Sequence, residues 1–191
     1  MEAFESFVAV ALEADDFVVS GGVKFRVKLP TRKAAYTEEQ THGYEVDLVG
    51  ARADRLVLAS VKSAFGSRGV VAEHVTGETS NQAASRRYRL LNDKAVRSRV
   101  VAEAAKRYGY RINQVQLRLY VGRFSGRKAG AHEQRVRAWA TKQRVGGGRI
   151  EVIDVHDVVR IVREAAGDTQ YRDSSVLVTL KALNEAGLIV G

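Results

Sequence analysis

Apolar positions recur along this chain with two different periods, and the switching between them outlines an α/β protein. Phe4, Phe7, Val8, Ala11 and Leu12 fall at helical spacing and predict a first helix from Glu2 to about Asp15. Phe17, Val18 and Val19 then open extended structure, and Ser20-Gly21-Gly22 offers a turn or bulge. Beyond it Val23, Phe25 and Val27 alternate with Lys24, Arg26 and Lys28, which predicts a strand with one buried face. Pro30 closes that strand and opens a polar loop through His42 and Gly43.

Tyr44–Val49 and Leu56–Lys62 read as the second and third strands, and the short link between them predicts an antiparallel hairpin. Residues 63–80 are glycine-rich and read as a loop. Gln82–Leu91 and Asp93–Tyr108 read as helical, the latter with Val96, Val100, Val101, Ala104, Ala105 and Tyr108 as its apolar stripe and Gly109 as its stop. Val115–Val121 alternates as a fourth strand, and Ala131–Gln143 as a basic helix. Ile150–Val155 predicts a fifth strand, with helices over His156–Ala166 and Ser174–Ala186. The order is αβββαβ, followed by β and α additions.

Composition fits one globular domain over 1–191, with a core over about 1–122 and an extension over 123–191. The absence of cysteine excludes disulfides and thiolate metal sites and fits a reducing compartment. No apolar run approaches the roughly 20 residues that cross a bilayer. The acidic start, Met-Glu-Ala-Phe-Glu-Ser, is unlike a secretion signal, so the expectation is a cytoplasmic protein with no membrane partner. The richness in Ala, Val, Arg and Gly suggests a bacterial or phage source.

Charge is unevenly spread. Residues 86–149 hold 18 basic and 3 acidic residues, whereas the flanks are mildly acidic. A basic middle suggests a surface that meets a polyanion, with a solvated arginine-rich face as the bland alternative. The candidate DNA contacts are Lys24, Arg26 and Lys28, then Arg86, Arg87, Arg89, Arg97 and Arg99, and then Arg123, Arg127 and Lys128. Phosphate contacts fix position without reading bases. The four histidines have no ligand spacing, so a zinc site is not expected. The run Gly146–Gly148 lacks the residues of a phosphate loop.

Three polar residues stand inside or at the end of apolar strands. Asp47 lies in Val46-Asp47-Leu48-Val49, where an acid is costly without a partner. Ser60 and Lys62 are two apart on the third strand and share one face. A hairpin can bring all three together, and the first helix can bring Glu5. Taken alone, Glu5 reads as a dipole partner of its helix and Lys62 as a strand exit.

These residues, in this order, resemble the PD-(D/E)xK nuclease superfamily, and most closely its archaeal-type Holliday-junction resolvases. The resemblance covers roughly the first 120 residues and is carried by Glu5 with its helix, by Asp47, and by Leu58-Ala59-Ser60-Val61-Lys62. It implies a restriction-endonuclease-like fold with a mixed central sheet. It further implies a magnesium- or manganese-dependent endonuclease acting on branched or duplex DNA in recombination or repair, working as a homodimer. Glu5 and Asp47 would hold metal, and Lys62 would position or activate water. The departure is Ser60, where the family carries an acid. Glu45 on the same strand could supply the missing charge, Ser60 could hold a water, or the site could be degenerate and the fold only bind DNA. A basic RNA-binding protein ranks below these, because aromatics are sparse.

Overall fold

The computed structural model describes residues 2–30, 39–126, 129–167 and 174–188. Helix α1 (Ala3–Ala14) leads into a long antiparallel ribbon of β1 (Val18–Pro30) and β2 (Glu39–Arg52), and β3 (Arg55–Lys62) completes a three-stranded meander. Short helices α2 (Ala72–Thr76), α3 (Gln82–Arg86) and α4 (Arg89–Asn92) precede the long α5 (Lys94–Tyr108). A 3₁₀ turn at Ile112–Gln114 starts β4 (Val115–Val121), which runs parallel to β3. Then come α6 (Ala129–Lys142), a small hairpin of β5 (Arg144–Val145) and β6 (Gly148–Arg149), β7 (Glu151–Asp154), α7 (Val155–Gly167) and α8 (Ser175–Glu185).

The sheet order is β1-β2-β3-β4-β7, antiparallel over its first three strands and parallel from β3 onward. This is an α/β protein with a mixed sheet. The residues after Val121 complete that sheet, because β7 pairs with β4 and α7 packs on α1.

Helices cover both faces. Leu56 and Leu58 of β3 join one apolar layer with α5 and α6, while Val57, Ala59 and Val61 join the other with α1, α7 and α8. A strand buried on both faces has to be apolar nearly throughout, as Leu56–Val61 is. Asp93 caps α5 by accepting the Ala95 and Val96 N–H groups, and Gly109 ends the helix at φ +77. No helix among the described residues is long and apolar enough to cross a membrane.

Three expectations change. Ser20–Gly22, expected as a turn or bulge, makes no turn and lies within a continuous β1 whose ladder skips Gly22, and β2 begins at Glu39 rather than Tyr44, because Leu29 and Pro30 pair with Gln40 and Glu39. That polar stretch is a strand through its ladder and not through apolar alternation. Within residues 63–80, Ala72 and Val75 bury one side of α2, and Gly77 at φ +84 stops it.

Candidate active site

Strands β2 and β3 pair from Arg52–Arg55 as far as Leu48–Ala59 and then part company. Asp47 and Ser60 are the next two residues, so they stand where the ladder opens. Faces also change there: Val46 and Val49 belong to one apolar layer and Leu48 to the other. Across from Asp47 on β1 lies Gly22 at φ +61, a conformation that glycine adopts freely.

The Asp47 carboxylate takes over where the ladder stops. Its Oδ2 accepts the Val61 N–H at 2.6 Å, lies 3.4 Å from the Ser60 hydroxyl, and accepts from Lys62 Nζ at 3.3 Å. Asp47 and Lys62 are each about a quarter exposed (24% and 25%), and Ser60 is buried at 5%. A charge-assisted pair that keeps some contact with solvent remains accessible to an incoming anion. Asp47 Oδ1 accepts no hydrogen bond from the described residues.

The predicted residues are only partly assembled. Asp47, Ser60 and Lys62 come together as the hairpin implied. Glu5 instead closes the start of α1, where its Oε2 accepts the Glu2 N–H at 3.0 Å and the Glu2 carboxylate accepts the Glu5 N–H. Helix α1 packs on the layer of Val57, Ala59 and Val61, with which Ser60 and Lys62 alternate along β3. Glu45 pairs with Lys24 across the ribbon at 3.5 Å, both exposed. Among the described residues no three acids or histidines converge on a point.

Two contacts went unforeseen. Ser63 donates to Glu2 Oε2 at 3.4 Å and ties the start of α1 to the end of β3. Nothing in the sequence signals that contact, because its two residues are 61 positions apart. The Val61 backbone N–H, as a partner for Asp47, leaves no trace in residue types.

A divalent cation of the magnesium kind takes one or two carboxylates and keeps several waters. The donors meet that demand sparingly. Asp47 Oδ1 could supply one ligand, whereas the Glu5 carboxylate is engaged with the Glu2 N–H at the start of α1.

The basic residues sort by exposure. Arg26 and Lys28 line the exposed face of β1 opposite buried Phe25, Val27 and Leu29, and Arg86, Arg87 and Arg123 are exposed. Lys24 is exposed but paired with Glu45. A groove of about 750 Å³ runs between the far end of the ribbon, at Leu29 and His42, and Arg86 and Arg89. Arg89 pairs with Asp93 at 3.0 Å and lies over the Tyr44 ring, and Arg99 pairs with Glu39 at 3.6 Å. Arg97 corrects the expectation: it is 5% exposed and donates to the Leu91 carbonyl and to Gln143, so it holds α5 in place and does not face a ligand. Arg127 and Lys128 lie outside the described residues.

No protein-family model matches the sequence, and no curated protein matches it. Among solved structures, the chain is similar to the crystal structure of AF1548, a protein of unknown function. That likeness has 16% identity and a TM-score of 0.40, and it covers 97% of this chain and 77% of that one.

Proposed function

We propose that this chain is a metal-dependent DNA endonuclease of the PD-(D/E)xK kind, resolvase-like in its preference for branched DNA, with Asp47 and Lys62 at its reaction centre. The observation that carries the reading is the cluster of Asp47, Ser60 and Lys62 where β2 and β3 open, with a carboxylate and an ammonium 3.3 Å apart and partly exposed. A restriction-endonuclease-like core is the fold this reading supposes, and the element order αβββαβ is compatible with it.

In this reading Asp47 holds magnesium or manganese through Oδ1, and Glu5 turns from its cap to join it. The cation would supply Lewis-acid stabilisation of charge on the phosphate. Lys62 stays within reach of Asp47 and presents its ammonium to the scissile phosphate or to the attacking water. Ser60, neutral and buried, orients Asp47 and adds no charge. Arg26, Lys28, Arg86 and Arg87 guide the DNA backbone. Paired cuts across a junction imply a homodimer.

A second reading, DNA binding without cleavage, is favoured by one observation: Asp47 Oδ2 is already taken by three donors, and among the described residues no three acids or histidines converge to hold a metal ion. Calorimetric titration of manganese into the parent and Asp47→Asn separates the two. Binding by the parent that is lost in the variant supports the enzyme. Tight DNA binding with no metal uptake by either protein supports the binding module.

A further inference from the structure

The chain leaves the candidate site by an unusual route. Ala64 has φ +52, a conformation that L side chains rarely adopt and that persists only where the surroundings enforce it. Enforcement comes from β4: the Gly122 N–H donates to the Lys62 carbonyl at 2.9 Å, bringing the strand end against residues 63–65. A Cβ on Gly122 would run into the Ser63 carbonyl and come within 2.8 Å of the Phe65 ring.

This turn delivers an aromatic ring to the surface three residues from Lys62. Phe65 is 52% exposed. Its ring is held edge-on by Phe4, with centroids 5.3 Å apart and planes at 80°. Together with Phe4, Phe7, Val155 and Val159 it lines an apolar pocket of about 370 Å³, to which Glu2 and Ser63 also contribute. The same Glu2–Ser63 hydrogen bond joins this pocket to the end of β3.

We infer that Phe65 and this pocket receive one unstacked nucleobase of a bound DNA strand whose phosphate lies at Lys62. This rests on the DNA-binding part of the reading above. A base has an apolar face that an exposed ring stacks against whatever its identity, and a polar edge that suits the carboxylate and hydroxyl among the lining groups. Bases at branch points and in single strands are the least costly to unstack, so the pocket favours branched over continuous duplex DNA. A second copy of the chain is a poorer occupant: stable interfaces bury about 1,200–2,000 Å² in total, whereas the apolar feature is one exposed ring beside a small pocket.

The test uses the full chain in chelator, so that cleavage plays no part, with 2-aminopurine at the branch point of a four-way junction. Parent, Phe65→Ala and Phe65→Tyr are compared, and thermal melting checks that all three fold alike. The parent should quench the probe. Phe65→Ala should lose the quench and weaken junction binding about ten-fold, within the roughly 5- to 150-fold that stacking one base is worth. Phe65→Tyr should restore both. Unchanged quenching and affinity in Phe65→Ala overturn the inference, as does loss of a dimer in sedimentation with no change in the probe. Asp47-dependent cutting in magnesium alongside Phe65-independent binding would sink this inference and spare the nuclease. A Phe65-dependent quench without any cutting would do the reverse.

Discussion

Asp47 Oδ2 accepts the Val61 N–H at 2.6 Å at the point where β2 and β3 cease to pair. One carboxylate therefore closes the sheet and also holds Lys62, so its structural and chemical roles must be separated by the choice of substitution. Asparagine keeps an oxygen that can accept from Val61, whereas alanine leaves that N–H without its partner. Asp47→Ala should cost roughly 1–3 kcal/mol in urea denaturation, and Asp47→Asn less than about 1 kcal/mol. Equal costs would remove the acceptor role.

Ser60 is the place to add the charge that the cluster lacks. Ser60→Asp puts a second carboxylate beside Asp47 in a position only 5% exposed. Without a cation the two acids repel, and the buried charge is costly. The variant should melt below the parent in chelator and regain much of the loss in manganese. A melting temperature indifferent to manganese would mean that no ion sits between residues 47 and 60.

The cap of α5 makes a pH prediction. Burial pushes the Asp93 carboxyl up, but the Arg89 guanidinium and the Val96 and Ala95 N–H groups outweigh it and hold the carboxyl below its ordinary range. A depressed carboxyl contributes stability above its unfolded value of about 3.9, and that stability is lost as pH falls through the lower folded value. Asp93→Ala should cost about 1 kcal/mol at neutral pH. The gap between parent and variant should narrow below about pH 4. Denaturant midpoints at pH 7 and pH 3 check this, and a gap of the same size at both would contradict it.

Arg97 and Arg26 should behave oppositely although both were candidate DNA contacts. Arg97→Ala removes a buried guanidinium that satisfies the Leu91 carbonyl, and should cost roughly 2–3 kcal/mol of stability. Arg26→Ala should leave stability alone and lower the salt dependence of DNA binding by about one released counterion. Binding isotherms at several salt concentrations, beside melting curves, distinguish the two.

Much of this arrangement was legible because it rests on periodicity. The α5 stripe, the doubly buried β3 and the alternating β4 are local patterns that tertiary packing preserved. The meeting of Asp47, Ser60 and Lys62 followed from a hairpin and a two-residue repeat. The buried place of Arg97 was legible too and was passed over: it precedes Val100, Val101 and Ala104 at helical spacing, on the packed face. What could not be read depends on partners distant in sequence. Glu39–Gly43 is a strand only because Val27–Pro30 pairs with it, together with Arg26. The capping engagement of Glu5 with Glu2 competes with a metal role in a way that residue types alone do not decide.

The most direct measurement is cleavage of a labelled four-way junction and a matched linear duplex in magnesium, manganese or chelator. The parent protein is run beside Asp47→Asn and Lys62→Ala. A nuclease centred on Asp47 and Lys62 should cut the junction only with metal, and both variants should lose that cutting. Cutting that survives in Asp47→Asn, or DNA binding by the parent with no cutting in either metal, would contradict that reading.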